Sequence, residues 1–150
     1  MELKYALKQK DESKTAKAMI RDANMSPKHA IAIASRLKGM NVDKAVKLLE
    51  KVTELETSIP FKRHNTGIGH RKGVKKGKVG RYPVKAAGRI IELLKNLQAN
   101  ASFKGMDPEK IKLIHIESQK GVTRKRRKPQ GRWKVWRTTF VHVQAVGKEA

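Results

Sequence analysis

The sequence predicts a mixed α and β fold: one strand near the N-terminus, three helices, and a long β-hairpin at the C-terminus. Three observations carry this reading. Residues 16–21 alternate apolar and polar. Three later stretches repeat apolar residues at helical spacing, and the C-terminal segments turn β-branched and apolar.

Residues 1–12 are polar, and a loose N-terminal tail over 1–15 is expected. Within 16–25, Ala16, Ala18 and Ile20 alternate with Lys17, Met19 and Arg21, the pattern of a half-buried strand whose Lys17 and Arg21 point outward together. Ser26-Pro27 then starts a helix, with Ser at the N-cap and Pro at the first helical position. Ala30, Ile31, Ala34 and Leu37 mark its buried stripe and Gly39 stops it. Asn41 caps a second helix whose stripe is Val42, Ala45, Val46, Leu49 and Val52, widened by Leu48. These stripes read as core and contain no cofactor box.

Helical patterning then stops. Between Pro60 and Tyr82, five glycines punctuate a basic run with few apolar residues. This predicts an unpacked loop that is disordered until a polyanion arrives. A third helix runs from near Pro83 to about Phe103, with Val84, Ala87, Ile91, Leu94 and Leu97 on its buried face and Gly105 at its end. Asp107-Pro108 opens one short turn. Ile111–Ser118 and Thr138–Val146 read as strands, and His115 and His142 are expected to face each other across them. About twenty residues separate the two, too many for a plain connection in a small domain. A hairpin whose outer half leaves the domain accounts for them, and arms of ten or more residues reach roughly 35 Å.

Charge decides the class of partner. The chain has 36 Lys+Arg against 13 Asp+Glu, a formal net charge of +23, and self-repulsion of that size works against compaction unless a polyanion neutralises it. Its distribution is more telling than its total. No acid lies between Glu56 and Glu92 or between Glu117 and Glu149, and each tract holds ten Lys or Arg, so 20 of the 36 sit without acidic company. A solvated face normally interleaves both signs, so these tracts predict nucleic-acid contact. No long apolar run suggests a membrane partner, and the absence of Cys excludes disulfides and thiolate metal sites.

Motifs for chemistry fail on inspection. Gly73-Val74-Lys75-Lys76-Gly77-Lys78-Val79 has one residue too few for a P-loop, and Val79 replaces the magnesium-ligating hydroxyl. Gly67-Ile68-Gly69 lacks the strand and helix of a dinucleotide site. His64 and His70 have no nearby carboxylate to make a catalytic or metal site, but their imidazoles suit bases or phosphates. Arg124 to Lys128 also resembles a nuclear-import run, a pattern any nucleic-acid binder can contain. Trp133 and Trp136 beside it suit either packing across the hairpin or stacking on bases. No catalytic residue, cofactor, metal or small-molecule substrate is expected.

Taken in order, these segments resemble the universal large-subunit ribosomal protein twenty-two family, in its archaeal and eukaryotic-like branch. The resemblance runs from about Ala16 to Val146. It rests on Ser26-Pro27-Lys28, Leu37-Lys38-Gly39, Asn41-Val42-Asp43-Lys44-Ala45 and Ala99-Asn100-Ala101. It also rests on the insertion from Pro60-Phe61-Lys62-Arg63-His64-Asn65-Thr66-Gly67 through Arg71, and on the basic hairpin with Gly131-Arg132. It implies an α+β domain of three helices packed on one side of a three-stranded antiparallel sheet. That domain would span 16–110 with the insertion at 60–82, and a protruding hairpin would span 111–147 with arms at Lys110–Val122 and Val135–Val146.

The resemblance further implies a cytoplasmic structural component of the large ribosomal subunit, not an enzyme and not a homo-oligomer. Its partners would be large-subunit rRNA from several domains, neighbouring ribosomal proteins and the nascent polypeptide. Contacts to rRNA are expected from Lys14, Lys17, Arg21, Lys28, Lys62, Arg63, His64, His70, Arg71, Lys72, Lys75, Lys76, Lys78, Arg81 and Lys85. The hairpin tip in the exit tunnel would be Arg124, Lys125, Arg126, Arg127, Lys128, Pro129, Gln130, Gly131, Arg132 and Trp133. A free-standing nucleic-acid-binding regulator is the alternative; it needs a helix with base-reading residues, and all three helices look core-facing.

Overall fold

The computed structural model describes residues 4–7, 14–71, 74, 79–129 and 131–149, the side chains of 131–133 excepted. Strand β1 (Thr15–Ala23) leads into helices α1 (Pro27–Leu37) and α2 (Val42–Thr53). Two short strands, β2 (Ile59–Pro60) and β3 (Gly80–Arg81), bracket the basic insertion before helix α3 (Val84–Phe103). A single 3-10 turn at Pro108–Lys110 precedes the long strands β4 (Ile111–Lys128) and β5 (Gly131–Glu149). The main sheet is antiparallel in the order β1-β5-β4. Helix α1 lies on β4 and β5, α3 lies on β1 and β5, and α2 packs on α3, so the fold is the expected α+β arrangement.

Local chemistry sets each boundary. Asn41 caps α2 by accepting a 2.9 Å hydrogen bond from the Asp43 N–H, while its Nδ2 donates to the Glu109 carbonyl at 2.7 Å. Ser26 occupies the N-cap of α1 in extended conformation, but its hydroxyl makes no cap bond; Pro27 supplies the start signal there by removing one orphan N–H. Helix α3 ends in a left-handed Gly105 (φ 74°). Its N–H bonds to the Ser102 carbonyl, and the Met106 N–H bonds to that of Ala101, with Met106 and Ala101 both buried. The left-handed Gly39 (φ 84°) turns the chain after α1 onto the free edge of β4. There the Gly39 N–H donates to the Leu113 carbonyl, and the Leu113 N–H to that of Met40, closing an edge that would otherwise template aggregation.

The helix faces correct the sequence reading in two places. Ile33 is fully buried and Ile31 only half so; likewise Ile90 and Leu93 are fully buried, Ile91 half so, and Val84 exposed. Both errors fall in runs of apolar residues, where a stripe drawn one or two residues off still looks periodic. Gly147 marks the tightest point of the core. A Cβ there would lie 2.5 Å from Ile111 Cγ2 and 3.3 Å from Leu97 Cδ2.

Two further expectations change. The base of the insertion is packed: β2 pairs with β3, and His70 bridges Val79. Phe61 is buried, with Ile68 and Val79 against the core. Gly80 permits this closure, because a Cβ there would meet Val74 Cγ2 at 2.9 Å. Residues 4–7, within the expected loose tail, are also held, and the rest of 1–13 lies outside the described residues. Gln144, fully buried in β5, accepts from the Ala6 N–H at 3.0 Å and donates to the Lys4 carbonyl at 2.9 Å. An amide in the middle of a sheet is tolerated because both its ends are satisfied.

Candidate nucleic-acid interface

The strands of the hairpin do not stop where their apolar pattern stops. β4 and β5 stay paired through Arg124↔Thr138, Lys125↔Arg137, Arg126↔Trp136 and Arg127↔Val135 to Lys128↔Gly131. Arg124 to Lys128 therefore stand on a strand that runs up to the turn at Pro129, which corrects the arm boundaries at Val122 and Val135. Backbone ladder bonds need no apolar side chains, so a strand can outrun its hydrophobic signature. Ile116 is the last buried residue on β4 and Val141 its counterpart on β5. Val141 pairs with Lys120, and beyond that pair about eight residues of β4 project, roughly 26 Å of strand.

Alternation sorts the arm into two faces. One presents Arg124, Arg126 and Lys128 with Trp136 and Phe140; the other presents Lys125, Arg127 and Arg137 with Val135, Thr123 and Thr139. The first face is layered. The Arg124 guanidinium lies 4.9 Å from the Phe140 ring centroid, and Lys128 Nζ lies 4.8 Å from that of Trp136. Trp136 is nevertheless half exposed, so one side of its indole is covered by a cation and the rest is open. On the second face Lys125 sits directly opposite Arg137, and Thr123 and Thr139 hydroxyls meet at 3.2 Å.

At the root of the arm a bulge separates Lys120 from Thr123. Gly121 there lies so close to His142 that a Cβ would come within 2.8 Å of its Nε2. The other ring nitrogen, Nδ1, accepts from the Asp22 N–H at 3.0 Å, tying the end of β1 to the hairpin. His142 pairs with Gln119, and His115 pairs with Val146 while contacting Glu117 at 3.2 Å. The two histidines therefore do not face each other: His142 lies four residues along β4 from His115.

The remaining basic residues gather into clefts. Lys28 in the first turn of α1 and Lys62, Arg63 and His64 after β2 ring a recess of about 350 Å³ floored by Ile31 and Ala32. His64 holds a left-handed backbone (φ 54°). Arg71 and Arg81 flank a second cleft of about 400 Å³ walled by Gly67–Gly69, Gly80 and Tyr82. Lys17 and Arg21 line a third, of about 420 Å³, with Tyr5, Asn96 and Asn100. Lys14, His70 and Lys85 are exposed outside these clefts. Lys72, Lys75, Lys76, Lys78 and Gln130 lie outside the described residues, as do the side chains of Gly131, Arg132 and Trp133.

Sequence reasoning missed Tyr5, Asn96 and Asn100, which carry no charge and no periodic signal. It also missed His29, whose ring meets Phe61 edge-on at 5.6 Å. Burial, and secondarily the Arg81 guanidinium, push the pKa of His29 below its usual value. Among the described residues no group of His, Asp and Glu is placed to hold a metal, and no helix is long and apolar enough to cross a membrane.

Comparison with known proteins follows the same lines. The family model described as ribosomal protein L22p/L17e matches residues 18–148. A large ribosomal subunit protein uL22 of Archaeoglobus fulgidus is 44% identical over 126 residues, 84% of this chain and 81% of its own length. That of Ignicoccus hospitalis is 46% identical over 125 residues, 81% of this chain and 79% of its own length. That of Methanocaldococcus jannaschii is 42% identical over 149 residues, covering 98% of this chain and 95% of its own length.

Proposed function

The chain belongs to the ribosomal protein L22p/L17e family, a structural and not a catalytic family, and from that premise we propose that it clamps several domains of large-subunit rRNA and lines the polypeptide exit tunnel with its hairpin. It works in the cytoplasm, as part of the large subunit. The observation that carries this reading is the uncovered arm. Lys125 and Arg137 stand directly opposite each other, and like charges in that position repel across a ladder. An arm built with such a pair, and with cations on both faces, is stable only against a polyanion that neutralises it. Phosphates do this and release counterions in the process. The clefts around Lys28, Lys62 and Arg63, and around Arg71 and Arg81, hold other rRNA segments by phosphate and 2′-hydroxyl contacts. The Pro129 turn then reaches the tunnel wall, where the cations flanking it face the nascent chain, and neighbouring ribosomal proteins pack on the helical side.

Crosslinking of purified large subunits after a high-salt wash tests this. Adducts from the insertion and from the hairpin should map to rRNA segments far apart in sequence, and stalled nascent chains should crosslink near Pro129. Release of the chain by the wash, or contacts confined to one short RNA hairpin, contradicts the clamp.

A further inference from the structure

β1 is an edge strand of the main sheet, and α3 covers its free edge with a regular row of side chains. Lys104 Nζ donates to the Thr15 carbonyl at 2.9 Å, and one helical turn earlier Asn100 Nδ2 donates to the Lys17 carbonyl at 2.9 Å. Four helix residues rise about 6 Å and two strand residues about 6.6 Å, so the two rows keep step. The next pair in the series is Asn96 with Met19. Here the row opens into a notch of about 420 Å³. Asn96 is exposed, and among the described residues its carboxamide has no hydrogen-bond partner. By the strand repeat, the Met19 peptide points the same way as those of Thr15 and Lys17. Tyr5 forms one wall, fixed there because the buried Gln144 holds the backbone of Lys4 and Ala6 on either side of it. Lys17 and Arg21 complete the lining.

We propose that this notch receives one unstacked nucleobase of the rRNA, an adenine, hydrogen-bonded between the Asn96 carboxamide and the Met19 peptide and stacked on Tyr5. The inference rests on the rRNA-binding reading above and adds a base-reading contact to it. A carboxamide donates to adenine N1 and accepts from its N6 amino group, an edge an unstacked base leaves open, an aromatic wall takes such a base, and Lys17 and Arg21 neutralise its phosphates. A peptide strand from another protein is the other occupant such an edge could take. It fits poorly, because the Thr15 and Lys17 carbonyls are already occupied. The bulge after Ile20 and the left-handed Asp22 (φ 49°) also end the regular edge two residues beyond Met19. One free peptide unit gives a rung for a base and not a ladder for a strand.

The test uses large subunits purified from cells carrying the wild-type chain or Asn96→Ala, an exposed substitution that leaves the core intact. Ultraviolet crosslinking should join Tyr5 to a single adenine in the wild type. That adenine should gain about fivefold or more in dimethyl sulfate reactivity at N1 in Asn96→Ala subunits, with the chain still present after a salt wash. The proposal is overturned if the chain is retained but Tyr5 gives no nucleotide adduct and the reactivity profile of the variant is unchanged. It is equally overturned if Tyr5 crosslinks to a peptide of a neighbouring protein. Loss of the wild-type chain from washed subunits would remove the rRNA-binding reading as a whole, a result distinct from failure of this one contact.

Discussion

The same two strands behave differently at their two ends. Around Ile116 and Ala145, β4 and β5 lie under α1 and α3, and Gly147 is held so closely between Ile111 and Leu97 that no side chain fits. Around Arg126 and Trp136 the ladder continues with the same pairing, but no part of the described chain covers it. Burial of apolar surface stabilises the first region. The second contributes like-charge repulsion and exposed aromatic area, which only a partner offsets. Folding and binding are thus assigned to opposite ends of one hairpin, and each end should be breakable without the other.

The largest effect should come from the arm. Replacing Arg124, Lys125, Arg126, Arg127 and Lys128 with Gln is expected to weaken binding to large-subunit rRNA about 10³-fold at physiological salt. The slope of log K against log salt should become shallower by about 4. The melting temperature of the free chain should not fall, since none of the five supports the core, and removal of the Lys125–Arg137 repulsion should raise it slightly. A drop in melting temperature as large as a core mutation's would mean that the arm carries folding energy, and the comparison would break.

The mirror experiment is Leu97→Ala. Leu97 is fully buried beneath Gly147, and the lost burial plus the cavity should cost about 2–5 kcal/mol by denaturant titration. The folded fraction should keep the salt slope of the wild type, read from filter binding at low temperature. A changed slope at full folding would show that the core positions the phosphate contacts more tightly than the separation of the two ends allows.

How much of this was legible in the sequence follows from the same division. Where burial repeats, the sequence announced the element: the stripe through Val42, Ala45 and Leu49, the stops at Gly39 and Gly105, the β-branched, apolar run of Thr138–Val146. Where the cause is not periodic, it was silent. The strand through Arg124 to Lys128 is held by backbone pairing and carries no apolar signal. The insertion looked unpacked because one aromatic, Phe61, and two aliphatics, Ile68 and Val79, do the anchoring among many cations. Gln144 is polar and carries no signal of burial, and its partners on Lys4 and Ala6 are distant in sequence. The pairing register sets His142 opposite Gln119 and His115 opposite Val146, and no composition rule fixes the register of a bulged hairpin. Basic residues were readable as a class; the clefts that group them, and the uncharged Tyr5 and Asn96 beside them, needed the tertiary contacts.

The smallest effect probes the boundary between the two regimes, at His29. Its ring joins α1 to the insertion through Phe61. Burial, and then Arg81, lower its pKa in the folded chain. The unfolded chain, with an imidazole near pH 6.5, therefore binds more protons than the folded one as pH falls below that value. The stability from neutral His29 is fully present above about pH 6.5 and is lost as pH drops toward the folded-state value. Wild type should thus lose more melting temperature between pH 7 and pH 5 than His29→Phe, by no more than about 2 °C given the partial exposure of the ring. Carboxylates titrate in both proteins, so the difference between the two curves is the readout. Arg81→Gln should recover less of that difference than His29→Phe, because burial is the larger cause. If Arg81→Gln recovered all of it, the insertion would act on α1 by charge and not by packing, and Phe61 would lose its place as the anchor.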